Sequence, residues 1–583
     1  MDASRRSRFS NDVDPALPWP EYPRPQLRRA GWTNLNGPWE LAITDLGTEP
    51  VAYDREILVP YPIGSELSGV PHTLLPSERA WMRRSFTYDP APRDGARLRL
   101  HFGGVDHDCT VWCNGAEVGR HQGAHDPWFV DITDSLDPPG EQEIVLAIID
   151  PTDEGHQPVG KQSLLPIFIW YPALAGVWQT VWLEEVPPTA IESVAATTDL
   201  AARVIRVDLT TSGASDGEPV EVQLFDDGHL LAAGNARTAD DRATVDLALL
   251  ELRPWTPDDP HLYDVVARCG SDRVESYVGA REVGVAVDDH GARRMTLNGE
   301  PIFHFGMLDQ GWWPDGLYTA PTDEALAFDI EAQRAMGFNT IRKHVKVEPA
   351  RWYHHADRLG MLVWQDMPST RVDKIAMKAA IDELDGDLTQ ADFSTIAPAG
   401  DPAGFRAELD AMLRTLHPHP SIVVWVPFNE GWGQHDTAAT LAHVAAADPS
   451  RLVDGPSGWV DGGEGHLRDH HVYGTEADFP GTDASRVVVY GEYGGYTLSV
   501  DGHRTDGTTY GYGDTADAAE LAARYVEVTE TLIALKGRGL AGAIYTQTTD
   551  VEGEINGLLT YDRAVQKIPN EILAPLHRRL IEG

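Results

Sequence analysis

Residues 421–434 read Ser-Ile-Val-Val-Trp-Val-Pro-Phe-Asn-Glu-Gly-Trp-Gly-Gln, an apolar run that ends at Asn429 and Glu430. A second apolar run, residues 486–495, reads Arg-Val-Val-Val-Tyr-Gly-Glu-Tyr-Gly-Gly and carries Glu492 near its end. The β-branched residues in both runs favour strands. Since the carboxyl ends of all strands meet at one mouth of a (β/α)8 barrel, the pattern predicts two glutamates facing one pocket.

Strand-like and helix-like runs alternate through residues 287–583, which predicts a parallel sheet with helical crossovers. Thr322, followed by two acidic residues, is typical of a helix start, and Gly337 of a helix end. Eight runs supply the strands that a closed barrel needs. They are residues 302–305, 338–342, 361–364, 422–425, 452–453, 471–473, 487–489 and 542–545.

The residues before the barrel have the alternating pattern of half-buried antiparallel strands. Residues 97–102, Arg-Leu-Arg-Leu-His-Phe, are one example, and Asn114-Gly115 is typical of a hairpin turn. The same pattern continues on a smaller scale after Pro187, with Asp-Gly turns at 216–217 and 227–228. We therefore predict a β-sandwich in residues 1–187 and an immunoglobulin-like β-sandwich in residues 188–286.

Charge excludes several classes of partner. The chain of 583 residues carries 47 basic and 90 acidic side chains, a formal net charge of −43. Such a charge repels phosphate backbones and anionic lipid head groups, so neither nucleic acid nor a membrane is an expected partner. No stretch approaches the roughly 18 consecutive apolar residues of a membrane span.

Other sequence signals point to an enzyme without a cofactor. The first 25 residues lack the apolar core of an export signal, which favours a cytoplasmic location, and three cysteines do not indicate a disulfide framework. The histidines lack zinc-site spacing and the glycines lack a phosphate-binding motif, so we expect no metal and no cofactor. The chain alone leaves open whether it forms a homo-oligomer.

Two carboxylates at one barrel mouth suit the hydrolysis of a glycosidic bond. That reaction needs an acid to protonate the leaving oxygen and a second carboxylate to stabilise or capture the positive anomeric centre. Glu430 and Glu492 are the candidates for these roles. A single glutamate at a strand end is more often a capping or ion-pair partner; two of them, each followed by glycine or aromatic residues, favour catalysis.

Four motifs in order resemble glycoside hydrolase family 2, the family of β-galactosidases, β-glucuronidases and β-mannosidases. They are Asn36-Gly37-Pro38-Trp39, Gly337 to Arg342, Asn429-Glu430 and Gly491 to Gly494. The resemblance runs from about Trp32 to the end and implies a jelly-roll, sugar-binding-like sandwich, an immunoglobulin-like sandwich and a barrel. It also implies that Glu430 is the general acid/base, Glu492 the nucleophile and Asn429 a partner of the sugar 2-hydroxyl, with retention of configuration.

Further substrate-binding residues are predicted around the glutamates. Arg342 could orient Glu492, although a structural ion pair within the barrel is an equal alternative. Tyr473 resembles the tyrosine of the family that donates to the nucleophile. The remaining candidates are polar groups for sugar hydroxyls, His344, Asp309 and Gln310, and aromatic faces for the ring, Trp364, Trp432 and Tyr545, each of which could equally belong to the core.

The sugar itself is less strongly indicated. The Asn-x-Lys motif that β-glucuronidases use for the substrate carboxylate is missing, and acidic residues surround Lys343 and Lys346. We therefore predict a retaining exo-β-glycosidase that acts on a terminal neutral sugar, as a β-galactosidase does. The alternatives are a galactofuranosidase, an arabinofuranosidase or a β-glucuronidase of the same family, and, from another class, a non-catalytic carbohydrate-binding protein.

Overall fold

The computed structural model describes residues 6–88, 95–137, 139–383, 396–397, 400–474, 479–505 and 507–583. Two β-sandwiches precede a parallel eight-stranded barrel, which confirms the predicted fold class. Within these residues, every helix is too short or too polar to cross a bilayer.

The barrel is closed and parallel. Its strands are β1 (His304–Asp309), β2 (Thr340–Lys343), β3 (Leu362–Asp366), β4 (Ile422–Val426), β5 (Leu452–Val453), β6 (Leu467–Tyr473), β7 (Val487–Gly494) and β8 (Gly542–Tyr545). β1 pairs with β8, and a bridge between Asp454 and Leu467 joins the ends of β5 and β6. All eight predicted runs overlap these strands.

Helices cover the outside of the barrel. In the described residues they are α1 (Asp323–Ala335), α2 (Ala350–Leu359), α3 (Lys374–Glu383), α4 (Pro402–Leu416), α5 (Thr437–Ala447), α6 (Ala518–Lys536) and α7 (Asn570–Glu582). Thr322 caps α1, because its hydroxyl oxygen accepts from the Ala325 amide at 3.1 Å. Gly337 follows the end of α1 with a φ of 94°, as predicted.

Each sandwich consists of two antiparallel sheets. The first has a six-stranded sheet (Arg55–Val59, Gly37–Asp45, Glu78–Tyr88, Gly140–Ile149, Asp108–Cys113, Ala116–Gln122) and a four-stranded sheet (Trp32–Asn34, Val181–Val186, Arg97–Phe102, Trp128–Asp131). The second has sheets of three strands (Ala190–Asp199, Val204–Ser212, Arg242–Ala248) and four strands (His229–Arg237, Pro219–Asp226, Tyr263–Cys269, Asp272–Val278). Apolar side chains alternate inward along these strands and form a separate core in each sandwich.

Two domain limits differ from the prediction. The limit at 286/287 falls inside the strand Val283–Val287, which pairs with Arg293–Leu297; the latter strand packs Met295 into the apolar interior of the barrel. At the start of the chain, Trp19 belongs to the core of the barrel, and Arg29 forms an ion pair with Asp272 of the second sandwich at 2.8 Å. Residues 6–31 therefore connect the domains. This Pro- and Arg-rich segment lacks the alternation of apolar and polar residues that predicts a strand of a sandwich.

A loop of the first sandwich, residues 157–172, lies over the mouth of the barrel, and we call it the mouth loop. The amides of Val159 and Gly160 both donate to the Ser369 carbonyl, beyond β3, at 2.8 and 2.9 Å. Gly160 has a φ of 59°, and a Cβ there would lie 2.7 Å from the Val345 carbonyl oxygen. The first sandwich thus contributes directly to the pocket of the barrel.

Close packing between β1 and β2 makes Gly306 a test of the barrel. A Cβ on Gly306 would lie 2.1 Å from the Thr340 carbonyl oxygen, a backbone atom that cannot move without breaking the sheet. Gly306→Ala should lower the free energy of unfolding by about 1–3 kcal/mol, measured as a lower apparent melting temperature. Gly537→Ala is the control, because its Cβ would meet only the Ala534 carbonyl oxygen, at 3.4 Å. Equal melting temperatures for both variants would contradict this packing.

Candidate active site

Glu430 and Glu492 meet at the mouth of the barrel. Glu430 follows β4, and Glu492 lies near the carboxyl end of β7. An oxygen of each carboxylate and a nitrogen of His471 lie within 4.8 Å of one another. Both glutamates are buried, with 5% and 4% of their surface exposed. The two strand ends identified in the sequence therefore converge in one pocket.

Backbone geometry fixes the direction of Glu430. The residue has a φ of 51°, in the left-handed region that side chains other than glycine rarely adopt. Its amide donates to the Ser457 carbonyl at 2.8 Å, and the Trp432 amide donates to the Asn429 carbonyl at 2.9 Å. A strained residue held in this way is typical of functional sites, because the surrounding contacts compensate for the strain.

His471, on β6, lies between the two glutamates. Its Nδ1 is 2.7 Å from Glu430 Oε1 and 3.7 Å from Glu492 Oε1, and its Nε2 is 2.8 Å from the Ser457 hydroxyl. Sequence reasoning considered this histidine only as a metal ligand and missed its place in the site. The available signal was its position two residues before Tyr473, on the same face of the strand.

Tyr473 contacts both carboxylates. Its hydroxyl is 2.8 Å from Glu492 Oε2 and 3.1 Å from Glu430 Oε1, and Tyr512 stacks on its ring with centroids 3.8 Å apart. Because a tyrosine hydroxyl has one proton, it can donate to one glutamate at a time. The hydrogen bond to Glu492 expected from the resemblance is therefore present in the structure.

Arg342 joins residues of four strand ends. Its guanidinium donates twice to Asp366, at 3.0 Å each, and also to Asn429 Oδ1 at 2.7 Å and to Glu492 Oε1 at 3.4 Å. It is thus both a structural ion pair and a partner of Glu492. With its oxygen held, Asn429 keeps an amide nitrogen that has no hydrogen-bond partner among the described residues.

The electrostatics of the site favour an ionised Glu492. Burial alone would raise the pKa of Glu492, but the neighbouring His471, His344, Arg342 and Lys161 outweigh it and lower the pKa to about 2. Burial likewise opposes the charged form of His471, yet the neighbouring carboxylates of Glu492 and Glu430 raise the pKa of this histidine. A protonated His471 donates through Nδ1, whereas a metal ligand must offer a lone pair, so the arrangement suits hydrogen bonding better than metal binding.

Two predicted pocket residues lie in the core instead. The Trp364 indole donates to His304 Nδ1 at 2.9 Å inside the barrel. Tyr545 packs edge-on against Tyr493 and Tyr525, beneath the helices. The sequence does not show whether an aromatic residue at a strand end points into the barrel or toward the helices. Successive side chains of a strand point to opposite faces, so a shift of one residue along the strand exchanges the two directions.

Asp309 also lies outside the catalytic pocket. It pairs with Lys343 at 2.9 Å, and Lys343 pairs in turn with Glu348 at 2.9 Å. Lys346 donates to the Gly311 carbonyl at 2.6 Å and pairs with Glu348 at 3.0 Å. The two lysines considered for binding an acidic sugar are thus occupied within the protein.

The remaining candidates lie at the wall of the pocket. His344 Nδ1 is 2.9 Å from Asp366 Oδ2, and its ring lies 6.3 Å from that of Trp432. Trp432 in turn contacts Trp170 of the mouth loop, with centroids 5.2 Å apart. Gln310 is buried, with no hydrogen-bond partner for its amide among the described residues. Contact of these residues with a sugar stays a prediction.

Family comparisons agree with this arrangement of domains. Three family models match in order: "Glycosyl hydrolase 2 galactose-binding domain-like" at residues 72–171, "Glycosyl hydrolases family 2" at 189–281, and "Glycosyl hydrolases family 2, TIM barrel domain" at 293–464. The chain belongs to glycoside hydrolase family 2. The resemblance inferred from its motifs is confirmed, and Glu430, within the third match, lies in the barrel domain of a glycoside hydrolase.

Similar proteins include β-galactosidases. That of Photobacterium profundum is 28% identical over 375 residues, which cover 61% of this chain and 33% of the relative. That of Streptococcus thermophilus is 23% identical over 378 residues, 64% of this chain and 35% of the relative. The chain therefore spans about a third of the length of these relatives.

Solved structures share the fold over nearly the whole chain. A Bifidobacterium dentium β-glucuronidase, complexed with coumarin-3-O-glucuronide, superposes with a TM-score of 0.74 and 18% identity, covering 95% of this chain and 98% of that one. An Eisenbergiella tayi family 2 β-galacturonidase gives a TM-score of 0.71 at 17% identity, covering 96% and 98%. At such identity the likeness establishes the architecture.

His471 offers a test of the electrostatics. Since its charge helps to hold the pKa of Glu492 low, His471→Asn should raise that pKa and move the acid limb of the pH profile of kcat/KM to higher pH. The profile is measured between about pH 3 and 9 on a chromogenic substrate. His470→Asn is the matched control, because His470 hydrogen-bonds neither glutamate. An acid limb that does not move in His471→Asn would contradict the assignment.

Proposed function

We propose that the protein is a retaining exo-β-glycosidase in which Glu430 is the general acid/base and Glu492 the nucleophile. The observation that carries the proposal is the separation of the two carboxylates, with oxygens within 4.8 Å. Retaining enzymes hold their carboxyl groups about 5–5.5 Å apart, whereas inverting enzymes leave about 6.5–9.5 Å for a water molecule. The short separation supports direct attack on the sugar.

The reaction proceeds in two displacements. The ionised Glu492 attacks the anomeric carbon, the glycosidic bond breaks, and its electron pair stays on the leaving oxygen, which takes the proton of Glu430. A water molecule then gives a proton to Glu430 and attacks the same carbon, and the electron pair of the ester bond returns to Glu492. The two inversions together retain the β configuration.

The neighbouring groups each have a task in this scheme. Arg342 and Tyr473 hold Glu492 in place for attack, at 3.4 and 2.8 Å. Asn429, whose oxygen is occupied by Arg342, has its amide nitrogen available for the 2-hydroxyl. A hydrogen bond to that hydroxyl strengthens in the transition state, which supports catalysis more than ground-state binding.

The buried pocket supports an exo mode of action. Both glutamates are almost fully covered, and the mouth loop closes over the barrel at Ser369 and Val345. A polysaccharide chain cannot lie across such a site, whereas a terminal sugar can enter it. The predicted β-galactosidase-like activity on a neutral sugar draws support from the β-galactosidases among the similar sequences, and the furanosidase alternative stays open.

Removal of the nucleophile is the first test. Glu492→Ala should lose about 10⁴-fold or more of kcat. Azide should restore turnover, because it fits where the carboxylate was and attacks from the same side, giving the α-glycosyl azide from a β-glycoside. The azide product is identified by proton NMR. A variant that keeps its activity would remove Glu492 from the nucleophile role.

Removal of the acid/base should give the opposite azide product. Glu430→Ala should lose about 10²–10⁴-fold of kcat on substrates with poor leaving groups, and much less on dinitrophenyl glycosides, which need no protonation. Azide should then attack the covalent intermediate and yield the β-glycosyl azide. Equal losses on good and poor leaving groups would contradict the role of Glu430, and the α-azide from this variant would exchange the two roles.

A further inference from the structure

Lys161, in the mouth loop, is buried without an anionic partner. Only 4% of the residue is exposed. Its ammonium lies 5.6 Å from the centre of the Tyr171 ring and 5.9 Å from that of Trp432. Among the described residues, no carboxylate or carbonyl oxygen lies within hydrogen-bonding distance of this nitrogen. Aromatic faces stabilise a cation only in part.

Other buried lysines of the chain have such a partner. Lys343 pairs with Asp309 and Glu348, Lys346 with Glu348, and Lys567 with Asp550 at 2.7 Å. Burying a charge is costly unless a counter-charge or hydrogen bonds compensate. The ammonium of Lys161 can therefore still donate hydrogen bonds to an anion that enters the pocket.

The ammonium of Lys161 lies beside Trp432, at the wall of the catalytic pocket. Its neighbour Gly160 is packed against the Val345 carbonyl just beyond β2, and Trp432 follows Glu430 by two residues. Its charge contributes to lowering the pKa of both Glu492 and His344, although burial is the larger cause at His344. The first sandwich therefore places a cation next to the groups that surround the sugar.

We propose that Lys161 binds the carboxylate of an acidic sugar, so that the substrate is a β-linked hexuronide. A hydroxyl group could accept one hydrogen bond from the ammonium but could not neutralise it, whereas a carboxylate does both. The inference rests on the proposed glycosidase function and specifies its substrate.

This changes the expectation of a neutral sugar, which depended on the acidic residues around Lys343 and Lys346. The structure pairs those two lysines with Asp309 and Glu348, whereas Lys161 of the first sandwich lies near Trp432 without an anionic partner among the described residues. We therefore expect carboxylate recognition by a residue of the first sandwich, about 270 residues before Glu430 in the sequence.

The test compares acidic and neutral substrates that differ at one carbon. The kcat/KM is measured on 4-nitrophenyl β-galacturonide against the β-galactoside, and on the β-glucuronide against the β-glucoside. The wild type should prefer the acid in at least one pair. Lys161→Met should lower kcat/KM on that acid about 10- to 100-fold more than on its neutral partner, the value of a charged hydrogen bond, whereas Lys161→Arg should keep most of the preference.

Lys378→Met is the matched control, because Lys378 on α3 is half-buried and already paired with Asp382. It should alter neither rate. Binding of free galacturonate, glucuronate, galactose and glucose to the Glu492→Ala variant, measured by calorimetry, gives a second readout that needs no turnover. A wild type that prefers the neutral sugar in both pairs, no tighter binding of either acid, or equal losses on both substrates in Lys161→Met would overturn the proposal.

The experiments separate the catalytic roles of Glu430 and Glu492 from the binding role of Lys161. If the neutral glycosides are hydrolysed and azide restores Glu492→Ala, the double displacement stands and only the role of Lys161 falls. If Lys161→Met selectively weakens the binding of the acid but the azide products are absent, the anion site stands and the catalytic roles fall.

Discussion

The buried guanidinium of Arg342 is the contact on which the site depends. It lies inside the barrel and reaches the side chains of Asp366, Asn429 and Glu492, which come from three other strand ends. Removing Arg342 or Asp366 would leave the other with an uncompensated buried charge, at a cost to the free energy of unfolding of about 3–5 kcal/mol. The same geometry aims the nucleophile and fixes the orientation of the Asn429 amide, so stability of the barrel and chemistry of the pocket share one set of hydrogen bonds.

The pocket is a product of two domains. The barrel alone supplies the carboxylates, His471 and Tyr473, but its mouth is completed by the first sandwich through the mouth loop. Tyr171 of that loop donates to Glu554, beyond β8, at 2.6 Å, which ties the loop to the opposite side of the mouth. The first sandwich thus takes part in the site, because it brings Lys161 and Trp170 to the wall of the pocket.

The sequence predicted those features that local patterns determine. Apolar runs placed all eight strands, Thr322 and Gly337 placed the ends of α1, and the motifs placed Glu430 and Glu492 at one mouth. The sequence did not predict three features that depend on tertiary packing. They are the inward direction of the His471 side chain, the burial of Tyr545 in the core, and the position of Lys161, from a loop of another domain, next to Trp432. A strand-end residue points in or out according to register, and the partners of a loop lysine follow only from how domains dock.

The configuration of the first product tests the central claim most directly. Proton NMR recorded during hydrolysis of a β-glycoside, before mutarotation mixes the anomers, identifies the sugar as it leaves the enzyme. Two carboxylates close enough for direct attack predict that the β-anomer appears first and the α-anomer only later. An α-anomer released first would mean that water attacks in a single displacement, and would contradict the account of Glu492 as the nucleophile.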